Sequence, residues 1–240
     1  MKRKQVVILA GGLATRLGSL TEKTPKSMLK IAEQPFIAHQ LENLKKQGIE
    51  RVLICAGHLG EQLEKFLGNG ENFGLSINYS FDGSTQLGTG GAIANASALL
   101  DENFFVMYGD SYLVTQWNKI DSAFDDIGKP ALMAIFKNFG KWDVSNVQFI
   151  GNDLIEYNKT SPSKSMDFVD YGLSIFSKNF FVNHPFNNNF DLSELLQSLS
   201  CSRSLAGIEV KERFFEIGSL SGINETENFI KSRHSNDKLY

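Results

Sequence analysis

Cysteine is scarce in this chain, and long apolar runs are absent from it. The two cysteines, Cys55 and Cys201, lie far apart and no CxxC pair occurs, which excludes a cysteine zinc cluster and a dithiol redox pair and favours a reducing compartment. The apolar run near the amino end, Val6 to Ala10, is too short for a signal peptide or for a membrane span of about 20 residues. We therefore expect a cytoplasmic protein without a membrane partner.

An excess of positive charge is also lacking. The chain has 24 lysines and arginines against 27 aspartates and glutamates, which gives a formal net charge of −3. We therefore expect no nucleic-acid partner, although a local basic patch stays open. With 42% hydrophobic and 21% charged residues among 240, the composition is typical of a globular protein and excludes wholesale disorder and a coiled coil.

Strand and helix patterns alternate along the first half of the chain. Short apolar runs predict strands at Val6–Ala10, Arg51–Ala56, Ser76–Phe81 and Phe104–Tyr108. Between them, apolar residues at helical spacing predict helices that begin with Pro35 in the first position, near Leu59, and over Ala92–Leu100. Repeated strand–helix–strand units predict an α/β fold, with a mixed, mostly parallel sheet and helices on both faces.

The second half has a different pattern. Strands are predicted at Ala131–Lys137, Val144–Ile150, Leu154–Lys159, Val169–Phe176 and Phe214–Ile217. Gly151-Asn152 predicts a hairpin turn, Asp191 with Glu194 predicts a capping box, and Ser221 predicts the cap of a terminal helix over 221–232. Because we find no internal repeat and no low-complexity linker, we expect a single domain over 1–240 with two lobes, about 1–115 and about 116–220.

One connection is too long for a simple turn. From Gly11 to Gln34, 24 residues separate the first strand from the first predicted helix, whereas such loops usually have about 2–6 residues. The segment leaves the carboxyl end of a strand, the edge at which open parallel sheets bind ligands. Adjacent Gly11 and Gly12 allow backbone amides to approach phosphate oxygens, and Arg16 and Lys26 supply positive charge. The alternative is a glycine turn with two solvated cations.

The phosphate-binding motifs of two large enzyme classes are absent. The long loop matches neither G-x-x-x-x-G-K-[ST] nor G-x-G-x-x-G. The sequence therefore disfavours a P-loop nucleoside triphosphatase and a dinucleotide-dependent oxidoreductase.

Three further segments carry candidate binding residues. The Gln86–Ala92 segment contains three glycines, which let a flat base or a phosphate lie against the backbone; a flexible loop is the alternative. Asp110 closely follows a predicted strand, where a carboxylate suits Mg²⁺ or simply forms a turn. Glu216 lies between apolar residues of a predicted strand and is either a second metal ligand or a solvated side chain. The weaker candidates are Lys159, Asp170 and Gly172.

Taken in order, these segments resemble the sugar-1-phosphate nucleotidylyltransferase family. The opening LAGG-x-G-T-R-L motif of that family matches Leu9–Leu17, and its P-K element matches Pro25-Lys26. The glycine-rich base loop matches Gly88–Gly91, the Gly-Asp metal motif matches Gly109-Asp110, and the late D-I-G-T element matches Glu216–Ser219. The resemblance runs from about Val6 to Ile230. The chain departs from the family at four positions. Ala14 and Asn146 stand where the family usually has Gly, Ser27 stands where it has Pro, and Glu216 stands where it has Asp.

The resemblance implies a Rossmann-like fold with a nucleotide-binding lobe and a sugar-binding lobe. It implies a reaction that joins a nucleoside triphosphate to a sugar 1-phosphate, giving an NDP-sugar and pyrophosphate. Catalytic roles are implied for Arg16, Lys26 and Asp110, and Mg²⁺ is implied as the cofactor, held by Asp110 and Glu216. Residues implied in nucleotide binding are Leu9, Ala10, Gly11, Gly12, Thr15, Gln86, Gly88 and Thr89. Residues implied in binding the sugar phosphate are Asn146, Lys159, Asp170 and Gly172.

The substrates are suggested by two segments. Leu87–Ala92 and Gly109–Tyr112 look most similar to the bacterial heptose 1-phosphate guanylyltransferases, which implies GTP and a manno-heptose 1-phosphate. Hexose and N-acetylmuramate 1-phosphate enzymes are alternatives, and so is a non-catalytic regulatory member of the same fold. Loss of Arg16, Lys26 or Asp110 would favour the regulatory member, but all three are present. A homodimer is left open.

Overall fold

The protein is described by a computed structural model that covers residues 5–12, 15–183 and 189–237, with the backbone alone for 15–16, 182–183 and 234–237. The strands are β1 (Gln5–Ala10), β2 (Lys30–Ile31), β3 (Gln34–Pro35), β4 (Arg51–Ala56), β5 (Ser76–Phe81), β6 (Asn103–Tyr108), β7 (Ser111–Tyr112), β8 (Ala131–Lys137), β9 (Val147–Ile150), β10 (Asp153–Tyr157), β11 (Phe168–Ser177), β12 (Leu205–Val210) and β13 (Phe215–Glu216). The helices are α1 (Phe36–Lys46), α2 (Gly60–Leu67), α3 (Gly88–Asn95), α4 (Trp117–Ile127), α5 (Lys178–Asn183), α6 (Leu192–Cys201) and α7 (Leu220–Asp237).

A single large sheet organises the described part of the chain. It has nine strands, in the order β10-β9-β11-β6-β1-β4-β5, with β8 beside β11 and β12 beside β8. β1, β4, β5 and β6 are parallel to one another. β11 is antiparallel to β6, β8 and β9, so β8 and β9 run in the same direction as β6 and β1. β12 is parallel to β8 and therefore runs in that direction too. In this sheet only β10 and β11 run the other way, which confirms the predicted mixed, mostly parallel sheet.

Apolar layers cover both faces of the sheet because its central strands are apolar at successive positions. In β1, Val6 and Ile8 belong to one layer and Val7 and Leu9 to the other, as the two-residue period of a strand requires. Residues of α1, α2 and α4 complete the first layer, and residues of α3, α5 and α6 complete the second. Helices therefore pack on both faces of the sheet, as predicted.

Two predicted helix starts are wrong. α1 begins at Phe36, because Pro35 has an extended backbone (ψ 137°) and, as the last residue of β3, pairs with Lys30 of β2. A helix is predicted over Ala92–Leu100, but α3 covers Gly88–Asn95. The last part of the predicted range forms a short 3₁₀ turn at Ser97–Leu99. Glycine disfavours a helix locally, but tertiary contacts with Phe190 hold this one.

The second half shows similar shifts at its boundaries. β9 begins at Val147 and not at Val144, β10 ends at Tyr157 before Lys159, and the Gly151-Asn152 hairpin is confirmed. The terminal helix covers Leu220–Asp237 and not 221–232. Ser219 caps it and Ser221 does not, because the Ser219 hydroxyl accepts the Gly222 amide at 3.0 Å. The division into two lobes stays a prediction. Among the described residues, no helix combines the length and apolar character that a membrane span requires.

Candidate active site

A cleft of about 590 Å³ opens at the carboxyl ends of β1, β4, β5 and β6. Because these strands are parallel, the segments that follow them meet at one edge of the sheet. Leu9 and Ala10 of β1 line the cleft, and so do Gly11, Gly12 and Lys26 of the long loop. Residues of the later segments that line it are Gln86, Gly88, Thr89 and Asp110. The structure therefore brings together three motifs that the sequence singled out separately.

Close backbone contacts form the floor of the cleft. A Cβ on Gly11 would lie 3.1 Å from the Gly57 nitrogen, and a Cβ on Gly109 would lie 2.8 Å from the Leu9 carbonyl oxygen. The Gly109 amide donates to that carbonyl at 2.9 Å. Gly12 differs, because nothing lies within 4 Å of the position that its Cβ would take. Gly11 and Gly109 therefore join the strand ends, and Gly12 faces open space where a ligand can approach.

An ion pair joins two of the predicted catalytic residues. The Lys26 ammonium lies 2.5 Å from the Asp110 carboxylate, and the two side chains are 19% and 35% exposed. The second oxygen of Asp110 accepts the Ser111 hydroxyl at 3.2 Å. Gln40 of α1 fixes the turn, since its side-chain amide donates to the carbonyls of Tyr108 (3.1 Å) and Ser111 (2.8 Å). The carboxylate is thus held at the mouth of the cleft with a cation in contact.

Thr15 and Arg16 begin the 3₁₀ segment Thr15–Thr21. Their side chains lie outside the described part of the chain. The predicted contact of Arg16 with a polyphosphate stays a prediction.

Glu216 lies beside the Asp110 turn. β13 pairs antiparallel with β7, which sets Glu216 opposite Ser111, and the Ile217 amide donates to the Asp110 carbonyl at 3.0 Å. The position that a Cβ on Gly218 would take is 2.5 Å from Glu216 Oε2 and 3.0 Å from Lys26 Nζ. Asp110, Lys26 and Glu216 therefore meet in one place.

The Glu216 carboxylate also accepts hydrogen bonds from the residues just before α7. It accepts the Gly218 amide and, at 2.8 Å, the Ser219 hydroxyl. Negative charge is favourable at the amino end of a helix, so these bonds stabilise the local structure. Because the side chain is half-buried and hydrogen-bonded, the alternative of a freely solvated residue is wrong.

The two carboxylates are suitable donors for a divalent cation. Among residues 5–12, 15–183 and 189–237, no group of three or more histidine, cysteine, aspartate or glutamate side chains is placed to hold a metal by itself. Mg²⁺ takes one or two carboxylates and completes its shell with water and phosphate oxygens. Asp110 already pairs with a cation, the Lys26 ammonium, and both residues line the cleft. Asp110 and Glu216 therefore fit Mg²⁺ bound together with a phosphorylated ligand.

The glycine-rich loop is fastened to the segment that precedes α6. The Gly90 and Gly91 amides donate to the Phe190 carbonyl at 3.0 and 3.2 Å. A Cβ on Gly90 would lie 2.1 Å from the Phe190 ring, so any side chain there would displace the ring. These two amides are engaged within the chain, whereas Gln86, Gly88, Thr89 and Ala92 are the parts of the loop that line the cleft.

Thr89 links the same two segments. Its hydroxyl donates to Asp191 at 2.5 Å and accepts the Leu192 amide at 2.8 Å. Asp191 and Glu194 form the predicted capping box at the start of α6, which is confirmed. The hydroxyl of Thr89, a residue that the resemblance implies in nucleotide binding, is therefore engaged in joining α3 to α6.

The four predicted sugar-phosphate residues form a second cluster around β11. None of them is among the described residues that line the cleft. The Asn146 side chain accepts the Asp170 amide at 2.9 Å, and the Asp170 carboxylate accepts the Gly172 amide at 2.8 Å. Burial raises the pKa of Asp170, and the positive charge of Lys159 opposes that rise. The structure brings all four together, and their binding roles stay predictions.

Gly172 connects this cluster to the cleft. It adopts φ 84°, a left-handed conformation that favours glycine, where the pairing of β11 with β8 changes register. A Cβ at Gly172 would lie 3.4 Å from the ring of Tyr108, which lines the cleft. The cluster of predicted sugar-phosphate residues and the cleft are therefore neighbours on the same edge of the sheet.

Sequence reasoning missed several residues of the cleft. Asp82 directly follows β5, so the rule that selected Asp110 at the end of β6 applies to it equally. Cys55 lines the cleft, and its thiol is uncharged because burial raises its pKa to about 12. Asn189 and Asp191 come from a distant segment, and nothing in their local sequence indicates that they reach the cleft.

Known proteins match this chain in sequence and in fold. The family model described as nucleotidyl transferase matches residues 5–139. The D-glycero-alpha-D-manno-heptose 1-phosphate guanylyltransferase of Campylobacter jejuni is 28% identical over 194 residues, covering 80% of this chain and 85% of that protein. The protein of the same name from Aneurinibacillus thermoaerophilus is 38% identical over 117 residues, covering 48% of this chain and 50% of that protein. HddC from Yersinia pseudotuberculosis, in a crystal structure with GMP-PN, has a TM-score of 0.77 at 21% identity, covers 95% of this chain and 100% of its own, and shows the fold.

Proposed function

Because the chain belongs to the nucleotidyl transferase family, we propose that it joins a nucleoside triphosphate to a sugar 1-phosphate and releases pyrophosphate. The observation that carries this proposal is the cleft, in which Gly12, Lys26 and Asp110 meet at the carboxyl edge of four parallel strands. The resemblance inferred from the sequence motifs is confirmed for the family. The names of the two heptose 1-phosphate guanylyltransferases support the reaction class.

In this reaction, a phosphate oxygen of the sugar 1-phosphate attacks the α-phosphorus of the triphosphate in line. The new phosphorus–oxygen bond forms as the bond to the departing pyrophosphate breaks. The attacking oxygen is already ionised near neutral pH, so no residue has to remove a proton. The chain's contribution is therefore to position two anions and to neutralise their charge.

Different residues would position the two anions and neutralise their charge. The Lys26 ammonium would contact the oxygens of the α-phosphate, and the open backbone at Gly12 would allow phosphates to approach closely. Arg16 would neutralise the departing pyrophosphate, and Lys159 would bind the phosphate of the sugar. Asp110 and Glu216 would hold Mg²⁺, which when bound offsets the negative charge of the phosphate oxygens.

GTP and a manno-heptose 1-phosphate are the substrates that we propose. The two relatives with that activity in their names support them. A hexose 1-phosphate and N-acetylmuramate 1-phosphate are the alternatives for the sugar substrate. A regulatory member of the fold without activity is disfavoured by the presence of the Lys26–Asp110 pair at the cleft.

The proposal is tested by measuring pyrophosphate release over a panel of nucleoside triphosphates and sugar 1-phosphates with Mg²⁺. We expect release only when both substrates are present, and fastest with GTP and a manno-heptose 1-phosphate. Reactions without the sugar phosphate, or with EDTA in excess over the metal, serve as controls. Nucleotide binding without release from any pair would favour the regulatory alternative.

Replacing Glu216 with glutamine should raise the Mg²⁺ concentration needed for half-maximal turnover by at least ~10-fold, because a neutral amide no longer offsets the charge of the cation. Glu216→Asp keeps the charge and should keep measurable activity. Turnover is measured against Mg²⁺ concentration for both variants.

The control for Glu216 is Ser219→Ala, which removes a hydrogen bond to the same carboxylate and the cap of α7. It should lower thermal stability, at a cost of about 1 kcal/mol, and raise the Mg²⁺ requirement less than Glu216→Gln does, because the carboxylate keeps its charge. If Glu216→Gln gives the wild-type Mg²⁺ curve and a similar loss of stability, then Glu216 only supports α7.

A further inference from the structure

We propose that the Ser27 hydroxyl donates a hydrogen bond to a phosphate oxygen of the nucleotide, on the same phosphate that Lys26 would contact. This inference rests on the proposed function, since it adds a contact within the same cleft. Ser27 lines the cleft next to Lys26, together with Gly12 and Asp110. The family usually has a proline at this position, which offers no hydroxyl, so the contact is particular to this chain.

The Ser27 hydroxyl is a buried polar group that lacks a partner in the described part of the chain. The residue is 3% exposed, and its Oγ is closed to solvent and makes no hydrogen bond with any described atom. A hydroxyl that gives up its bonds to water without gaining another destabilises the folded protein. Buried polar groups rarely stay in that state, so this hydroxyl needs a partner within the chain or one that arrives with a ligand.

The backbone around the Ser27 hydroxyl is fixed, whereas the hydroxyl itself can turn. Ser27 is the central residue of a 3₁₀ turn, Lys26–Met28. Two backbone hydrogen bonds close this turn, from the Met28 amide to the Pro25 carbonyl at 2.8 Å and from the next amide to the Lys26 carbonyl at 3.0 Å. The oxygen of a serine moves among three staggered positions by rotation about one bond. Because Ser27 lines the cleft, a ligand there can draw the hydroxyl toward it without moving the backbone.

A phosphate oxygen is the ligand atom that suits this donor. The Lys26 side chain, which pairs with Asp110 and is 19% exposed, brings positive charge to the same turn. Gly12 leaves open space among the described residues through which an anion can approach. A hydrogen bond from a hydroxyl to a charged oxygen is shorter and stronger than one to a neutral oxygen, such as those of the ribose. The hydroxyl and the ammonium of two successive residues therefore favour binding to one phosphate group.

A contact within the chain is the alternative role for the hydroxyl. Helix α1 packs against the turn, and Oε1 of Gln40 in that helix is a buried acceptor that also lacks a partner among the described residues. The Gln40 amide group donates to the carbonyls of Tyr108 and Ser111, which holds its oxygen in one orientation. If Ser27 bonded to Gln40, loss of the hydroxyl would destabilise the free protein. Loss of a contact made only with a ligand does not, so the two roles predict different effects of one substitution.

The test is Ser27→Ala, which removes the hydroxyl and little else. Thermal unfolding is measured on the free protein, and binding is measured at equilibrium, without Mg²⁺, for the nucleoside monophosphate that the wild-type protein binds most tightly, which we expect to be GMP. The Tm should stay at or slightly above the wild-type value, because a buried hydroxyl without a partner is removed. The Kd should rise by about 10-fold, the effect of one hydrogen bond to a charged acceptor. In pyrophosphate release, the KM for the triphosphate should rise similarly and kcat should stay within about threefold.

Ser200→Ala is the matched control, because Ser200 is equally buried but its hydroxyl has partners within the chain. It donates to the Gln197 carbonyl at 2.8 Å and accepts the Tyr157 amide at 3.1 Å. Ser200→Ala should therefore lower the Tm and keep the wild-type affinity for the monophosphate. An unchanged affinity in Ser27→Ala, or a lower Tm of its free form, would overturn the assignment. Absence of release from every substrate pair would overturn the proposed function, and monophosphate binding and thermal unfolding would still decide the role of Ser27.

Discussion

Asp110→Asn should lower turnover by at least ~10²-fold, the effect of removing one strong electrostatic contact at a reacting phosphate. The asparagine is nearly isosteric, but it is neutral and no longer pairs with the Lys26 ammonium, which lies 2.5 Å from the carboxylate. It would also weaken the proposed Mg²⁺ site, because one of the two carboxylates of that site would be lost. Turnover is measured by pyrophosphate release at limiting and at saturating Mg²⁺.

The fold should survive this substitution, because the Asp110 side chain is 35% exposed at a sheet edge and lies outside the apolar layers. Asp101→Asn provides the matched control: Asp101 also forms an ion pair, with Arg51, at the opposite end of β4. Asp101→Asn should leave turnover within about twofold of wild type. Near wild-type turnover of Asp110→Asn at limiting Mg²⁺ would remove Asp110 from the mechanism.

The parts of the site that follow strand ends could be predicted from the sequence. β1, β4, β5 and β6 are recognisable as short apolar runs, and parallel strands bring their carboxyl ends to one edge. This reasoning placed Gly11, Gly12 and Asp110 correctly at the cleft. The same rule, applied to the end of β5, would have found Asp82 as well.

The parts that depend on distant contacts could not be predicted in this way. Nothing near Thr89 in the sequence indicates that its hydroxyl bonds to Asp191, which lies 102 residues away. Likewise, the Glu216 carboxylate bonds to the start of α7 because β13 lies beside β7, and that pairing is a property of the whole fold. A local pattern indicates which residue types are present, whereas tertiary contacts decide which of their atoms stay free for a ligand.

Lys26→Met should lower turnover by about 10²- to 10³-fold, because it removes the cation that we propose to contact the reacting phosphates while keeping the length of the side chain. It also leaves the Asp110 carboxylate, one of whose partners is the Lys26 ammonium, without its positive neighbour. Lys30→Met is the matched control, since Lys30 lies in the same segment and forms an exposed ion pair with Glu33. It should leave turnover within about twofold of wild type, as expected for an exposed pair.

The double variant Lys26→Met with Asp110→Asn shows how the two residues act. Groups that work as one unit lose most of their effect when either is removed, so the combined loss should be far smaller than the product of the two single losses. Single-turnover pyrophosphate release measures this on the chemical step, apart from product release. A combined loss equal to the product would mean that Lys26 and Asp110 act on separate groups, and that their ion pair in the structure has no part in catalysis.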